Sequence, residues 1–193
     1  MLRQAPVDQS RGTSLIEVLV TLVILAVGLL GVAGLQSKMG VAEVESYQRE
    51  QALLTLTDMV NRIYGNSAQA ASYVTATPLG TGDSQPATCA GIAAGPALDQ
   101  CQWSQLLKGA SEQTSGTTNV GGMQAARGCV AQIQAPDPSL GVCTAGIYLV
   151  TVVWQGMNPT AAPTLVCGQG TYGNDATRRA LASTVTVPTK SCF

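Results

Sequence analysis

Leu15 to Leu35 is a run of 21 residues whose only charge is Glu17. A run of that length and composition spans a bilayer as a helix, so any fold for this chain has to place one segment in lipid or in a helix bundle. A cleaved secretory signal is the competing reading, with small residues such as Val32 and Gly34 standing where a cleavage site would. Signal apolar regions cover only about 7–15 residues. Here the helical pattern continues past the run. No proline occurs between Pro6 and Pro78, and Glu43 to Tyr64 turns amphipathic, with Leu53, Leu56, Val60 and Ile63 at 3-4-3 spacing. The pattern predicts one helix from about Ser14 to Tyr64, roughly 75 Å long at ~1.5 Å per residue. Its first half is apolar on every face and suits lipid, and its second half is apolar on one face and suits packing on a globular domain. Gly28, Gly31, Gly34 and Gly40 weaken such a helix in water but allow close helix contact in lipid or a bundle.

After Tyr64 the composition shifts to Gly, Ala, Ser, Thr and Gln, and Pro78, Pro86 and Pro96 mark loop, so residues 67–100 are expected to be the least structured part. A short helix is predicted at Gln102 to Lys108, where Trp103, Leu106 and Leu107 share a face. Strand signals follow at Gly128–Gln134, Gly146–Gln155, Thr164–Gly168 and Arg179–Val187. The predicted fold class is α+β: a long N-terminal helix, transmembrane and then amphipathic, packed on a four-stranded antiparallel sheet and stapled by disulfides. The expected division is 1–12 leader, 13–36 membrane helix, 37–64 amphipathic continuation and 65–193 exported domain.

Composition narrows the function classes. The chain has no histidine, which removes His-based triads, His zinc sites and the commonest general base. Ten Lys and Arg against eleven Asp and Glu give a net charge of −1, which disfavours binding to nucleic acid by phosphate neutralisation. Six cysteines without a CxxC read as three disulfides and an oxidising compartment. Other signals are weak. Gly168-Gln169-Gly170-Thr171-Tyr172-Gly173 is formally GxGxxG but lacks the βαβ setting and the ribose-binding acid, and is read as a loop. Trp103, Trp154 and Tyr148 are read as core, Asp137 and Asp175 as turn carboxylates, and Arg178 and Arg179 as a solvated strand edge. No catalytic constellation emerges, and no enzyme activity, cofactor or metal is expected.

The informative segment is Arg11-Gly12-Thr13-Ser14-Leu15-Ile16-Glu17-Val18-Leu19-Val20: a basic leader with Arg3 and Arg11, a glycine, a few small or apolar residues, a glutamate, and the apolar run. It resembles the class III signal of the type IVa prepilin family, and LIEVLVTLVILAVGLLGVAGLQ looks most like minor pilins of the PilV type. The close likeness covers about residues 11–36. The resemblance implies that prepilin peptidase cuts after Gly12 and that Thr13 becomes the methylated N-terminus, with Arg11 as the basic residue before the glycine. It implies that Glu17 is the assembly glutamate, paired in a filament with the free amine of an adjacent subunit. At about 4 Å and an effective dielectric of ~20 that pair is worth roughly 4 kcal/mol before desolvation. In the unassembled monomer Glu17 is expected to snorkel to the headgroups. Two departures stand out: Thr13 is small and polar where most members begin with Phe or Met, and Gly34 takes the place of a helix-kinking proline, which fits a minor subunit.

The expected function is that of a structural subunit of a type IV pilus, a minor pilin that initiates or primes assembly, with a tip or adhesive role and a link to twitching motility. Its expected partners are other pilins through the N-terminal helix, the prepilin peptidase, the inner-membrane assembly platform and the membrane, with no nucleic acid. Arg11 before the run predicts a cytoplasmic N-terminus, a single pass of the bacterial inner membrane and later residence in a pilus. A minor pseudopilin of type II secretion is the alternative, and a membrane-anchored periplasmic binding protein the alternative from another class. For the cysteines fifteen pairings are possible. Local closure favours Cys89–Cys101 and Cys129–Cys143. Cys167–Cys192 then remains, a pair that resembles the C-terminal disulfide loop of type IV pilins.

Overall fold

The structure, a computed structural model, describes residues 12, 14–114, 119–139 and 141–189. Its first element is a single helix, α1 (Leu15–Gly65), of 51 residues. Nothing in that span breaks it: no proline interrupts the hydrogen-bond ladder, and it stops at Gly65, where Asn66 N–H still donates to Arg62 O. The chain forms two compact units whose boundary falls inside α1, between Glu43 and Val44. In the first unit every residue from Ser14 to Gly40 is exposed, the mark of a helix that is apolar all round and has lipid or other helices as its solvent.

In the second unit α1 buries Gln48, Ala52, Thr55, Leu56, Met59 and Ile63. Ala52, Leu56, Met59 and Ile63 follow a 4-3-4 spacing. The expected stripe is thus corrected by one position: Leu53 is 54% exposed, while Leu56 and Ile63 hold their place in the core and Val60 packs at its margin. One residue of displacement rotates a side chain by about 100° around a helix, enough to move Leu53 off the buried face.

That face meets an antiparallel sheet of order β1-β2-β3-β4, made of β1 (Leu79–Gly80), β2 (Arg127–Gln134), β3 (Gly146–Gln155) and β4 (Arg178–Val187). The α+β architecture expected from the sequence is therefore present. Val130, Tyr148, Val150, Val152, Trp154, Val185 and Val187 are buried in one cluster with the α1 residues. The register explains the choice, since Val130 pairs with Val150 and Tyr148 with Val185, so period-two alternation puts all of them on one face. The β2–β3 ladder slips between Gln132 and Gln134, leaving Ile133 as an extra, exposed residue in a bulge.

Two helical elements occupy a region expected to be loop: a 3₁₀ segment at Ser67–Tyr73, and α2 (Pro96–Leu107), which starts earlier than the predicted Gln102. Pro96 opens α2 where a missing N–H costs nothing. Trp103 from α2 lies on β2 so closely that a Cβ on Gly128 would come within 2.1 Å of its ring, which makes glycine obligatory there. Its indole N–H donates to Thr55 O at 2.9 Å, so one side chain joins α1, α2 and β2.

The expected strand at Thr164–Gly168 is not one, and the expected solvated Arg178 is 1% exposed. The two corrections have one cause. The Arg178 guanidinium donates to the carbonyls of Leu165 and Cys167 at 2.6 and 3.0 Å and to that of Pro163 at 3.1 Å, so these carbonyls serve a buried cation instead of a ladder. Arg179 is half-buried and pairs with Glu45 at 3.1 Å.

Cys89 is bonded to Cys101, and Cys129 to Cys167. The second bond overturns both Cys129–Cys143 and Cys167–Cys192. Cys129 stands opposite Thr151 in the hairpin, which leaves Cys143 more than about 15 Å away along the strand, beyond the reach of a disulfide. Cys129 points to the sheet face opposite Val130, where the Arg178-held loop brings Cys167 to a Cα–Cα distance of 5.9 Å. Cys143 is also disulfide-bonded, and Cys192 lies outside the described residues.

Candidate processing and assembly site

The candidate site begins at Gly12, which is exposed and has open space around it: a Cβ there would meet no atom within 4 Å. Among the described residues nothing requires glycine at this position. Arg11 and Thr13, the other two candidates at the expected cleavage point, lie outside the described residues. Ser14 O accepts from the N–H groups of Glu17 and Val18 at 2.9 and 3.2 Å, which opens α1. Glu17 is the acid in the first turn. There a carboxylate complements the partial positive charge of the helix start, a modest stabilisation of about 0.3–1 kcal/mol. Its side chain is exposed, and among the described residues it has no ion-pair partner.

Beyond Glu17, Val18, Leu22, Leu25 and Leu29 are all about half or more exposed, and so are the residues on the other faces of this half of α1. The helix is long and apolar enough to cross a membrane. Glu17 therefore stands one turn inside that apolar segment, where an ionisable side chain is costly unless it reaches the interface or finds a partner.

The second unit holds its part of α1 by a polar network that the sequence did not reveal. Arg62 pairs with Asp58 at 2.7 Å on its own helix and with Asp99 of α2 at 2.8 Å, and also donates to Gln102. The Tyr73 hydroxyl donates to Asp99. Burial and that hydrogen bond push the Tyr73 hydroxyl up to about 12. Asp83 accepts from Gly80 N–H, Gln85 N–H and the Ser104 hydroxyl and pairs with Lys108. Burial raises its carboxyl, but Lys108, Ser104 and the two backbone donors outweigh burial and hold it below the usual carboxylate range. Asp99 comes from a stretch of chain distant from Asp58 and Arg62, and only the i, i+4 spacing of Asp58 and Arg62 was visible as a signal.

Trp103, Trp154 and Tyr148 are all buried, as core residues should be. The GxGxxG stretch is a series of turns with Gly168, Gly170 and Gly173 at positive φ, and the Tyr172 hydroxyl ties it to Ala125 O at 2.9 Å. Asp137 forms an isolated antiparallel bridge with Thr144, and Asp175 opens a short 3₁₀ turn and accepts from Gly170 N–H and from Arg178. Among the described residues no three Cys, Asp or Glu side chains gather where a metal ion could be held.

Residues 8–33 match the family model described as the prokaryotic N-terminal methylation motif, a stretch that takes in Gly12, Thr13 and Glu17. No curated protein and no solved structure gives a significant match. The motif is the signal of type IV pilins and pseudopilins, and it indicates a structural subunit, handled by the prepilin peptidase and anchored in a membrane through the apolar helix. With the apolar α1 behind it and an α+β domain carrying two described disulfides, that motif supports a type IV pilin-like protein.

Proposed function

We propose that the chain is a minor pilin, a subunit that initiates or primes a type IV pilus. In this reading it is made as an inner-membrane precursor with its N-terminus in the cytoplasm. Prepilin peptidase cuts after Gly12 and methylates Thr13, and residues 13–36 polymerise with the corresponding helices of other pilins. The observation that carries the reading is continuity: the methylation motif runs without a break into a helix whose far half is built into a folded domain. A secretory signal has no reason to continue into the core of the mature protein, whereas a polymerisation helix must transmit its position to the domain it carries. Glu17, exposed and without an ion-pair partner among the described residues, has the role of register key. Its carboxylate meets the new N-terminal amine of a neighbour, and a subunit out of register would bury both charges unpaired. The motif is shared with the pseudopilins of type II secretion. The size of the disulfide-bonded domain beyond α1 favours the pilus.

N-terminal sequencing of the mature protein tests the reading. A methylated Thr13 is expected. Met1 would make the chain an ordinary membrane-anchored protein and Leu35 a secreted one. Recovery of the mature chain in sheared pilus filaments separates the pilus from the secretion pseudopilus.

A further inference from the structure

At the open end of the β3–β4 ladder, where Gly146 pairs with Val187, the second unit has an apolar recess of about 390 Å³. It lies between the 3₁₀ segment and the loop that precedes β3. Ala70, Tyr148 and Val187 are buried beside it, whereas Ala71, Pro136 and Pro138, which also line it, are exposed. Two fixed points of the chain stand on its walls, and the same short segment leads from both.

The first is Thr189, which lines the recess together with Pro188. Lys190-Ser191-Cys192-Phe193 follows it directly and lies outside the described residues. Phe193 is the one phenylalanine of the chain and the large apolar side chain of that segment. Four residues span at most about 14 Å, so the Phe193 ring is never far from the recess.

The second is Cys143. Its neighbour Thr144 exchanges both backbone hydrogen bonds with Asp137, each at 2.9 Å, and Asp137 stands between the two lining prolines. Cys143 is therefore beside the proline wall. It is disulfide-bonded, and Cys89–Cys101 and Cys129–Cys167 are already made, so of the six cysteines Cys192 alone is left as its partner. A disulfide holds its two Cα atoms about 4.4–6.8 Å apart, and Phe193 is one residue further on, which keeps its Cα within about 11 Å of that of Cys143.

We propose that the Phe193 ring occupies this recess and that a Cys143–Cys192 bond holds it there. The ring covers Ala71, Pro136 and Pro138 and extends the core past Val187. With the chain tied on one side by β4 and on the other by the disulfide, docking costs the ring little further freedom, and most of its burial counts as stability. The segment after β4 is then a strap that closes this end of the domain, and the recess is filled from within the chain instead of by a neighbouring subunit. Neither Gly12 nor Glu17 takes part, so a failure here leaves the assembly reading untouched.

The test uses the full oxidised chain in detergent micelles. With one phenylalanine in the sequence, phenylalanine-selective labelling places the NMR signal on this ring alone. Cross-peaks from the ring to the Ala71 and Val187 methyl groups are expected, and a water-exposed ring without them overturns the proposal. Peptide mapping of unreduced protein is expected to give a fragment joining Cys143 to Cys192, and either cysteine found bonded elsewhere overturns it as well. Phe193→Ala should lower the melting temperature, followed by near-ultraviolet circular dichroism, by about 4–8 °C. Ala71→Lys puts a charge into the recess at an exposed position and should expel the ring with a similar loss. Both variants remove the same contact, so the double variant should melt close to either single one. An unchanged melting temperature in Phe193→Ala, or losses that simply add, would sink the docking.

Discussion

The two halves of α1 are one helix in backbone and two different materials in side chains. From Leu15 to Gly40 no residue is buried, although this is the most apolar part of the chain. From Gln48 to Ile63 six residues are buried, and two of them, Gln48 and Thr55, are polar. Hydrophobic content alone therefore does not locate the core. In the second half burial follows the face that meets the sheet, and a glutamine or threonine on that face goes inside while Leu53 on the next stays out. The first half is selected for its neighbours in a membrane or a bundle, the second for its neighbours in its own domain.

Substitutions that separate the halves are the sharpest way to break this contrast. The largest effect is expected at Gly12, where the fold has room for a side chain and the peptidase of the proposed pathway does not. Gly12→Val should leave the folded domain untouched and stop processing altogether, so that mass spectrometry finds a precursor twelve residues longer than the mature chain. Normal mature length in that variant would remove the basis for the assembly reading.

Next comes Glu17→Leu, which leaves a neighbour's amine buried without a counter-charge, a loss of about 3–5 kcal/mol at each contact. Incorporation into filaments should collapse while membrane insertion and cleavage proceed normally. Wild-type incorporation would refute the register role.

Within the second half, Met59→Ala removes a wholly buried side chain and should lower the stability of the domain by about 2–5 kcal/mol in denaturant titration. Leu25→Ala, in the first half, removes an exposed side chain and should shift the same transition by less than about 0.5 kcal/mol. Equal losses at the two positions would erase the distinction between the halves.

A smaller loss than that at Met59 is expected at Asp83. Asp83→Ala strands the Lys108 charge and two backbone donors and should cost about 1–3 kcal/mol. Because the folded carboxyl lies below its unfolded value, its contribution is complete above about pH 4 and is lost as pH falls through the folded value. The melting temperature of the wild type should therefore drop more steeply below about pH 4 than that of Asp83→Asn, while the two curves run parallel near neutrality. Tyr73 has the opposite sign: its raised value costs stability as pH climbs from about 10 towards 12, where the unfolded hydroxyl ionises and the folded one does not.

What could be read along the chain was whatever depends on neighbours in sequence. The apolar run, the absence of proline from Pro6 to Pro78 and the spacing of Gly12 and Glu17 determine a long helix with a processing motif at its head. The β-rich composition of Gly146–Gln155 and the alternation in Arg179–Val187 determine two strands almost to the residue. Tertiary structure decided whatever depends on a partner far away. Cys129 bonds to Cys167 because a hairpin carries Cys143 away and a buried arginine draws residues 163–167 across the sheet, and no loop-length argument contains either fact. Leu79–Gly80 is a strand only because Arg127 and Gly128 pair with it, and Leu53 is exposed only because the sheet approaches α1 from the side of Ala52 and Leu56. Periodicity is a property of the backbone and can be counted from the letters, whereas burial and pairing belong to surfaces that exist only after the chain has folded.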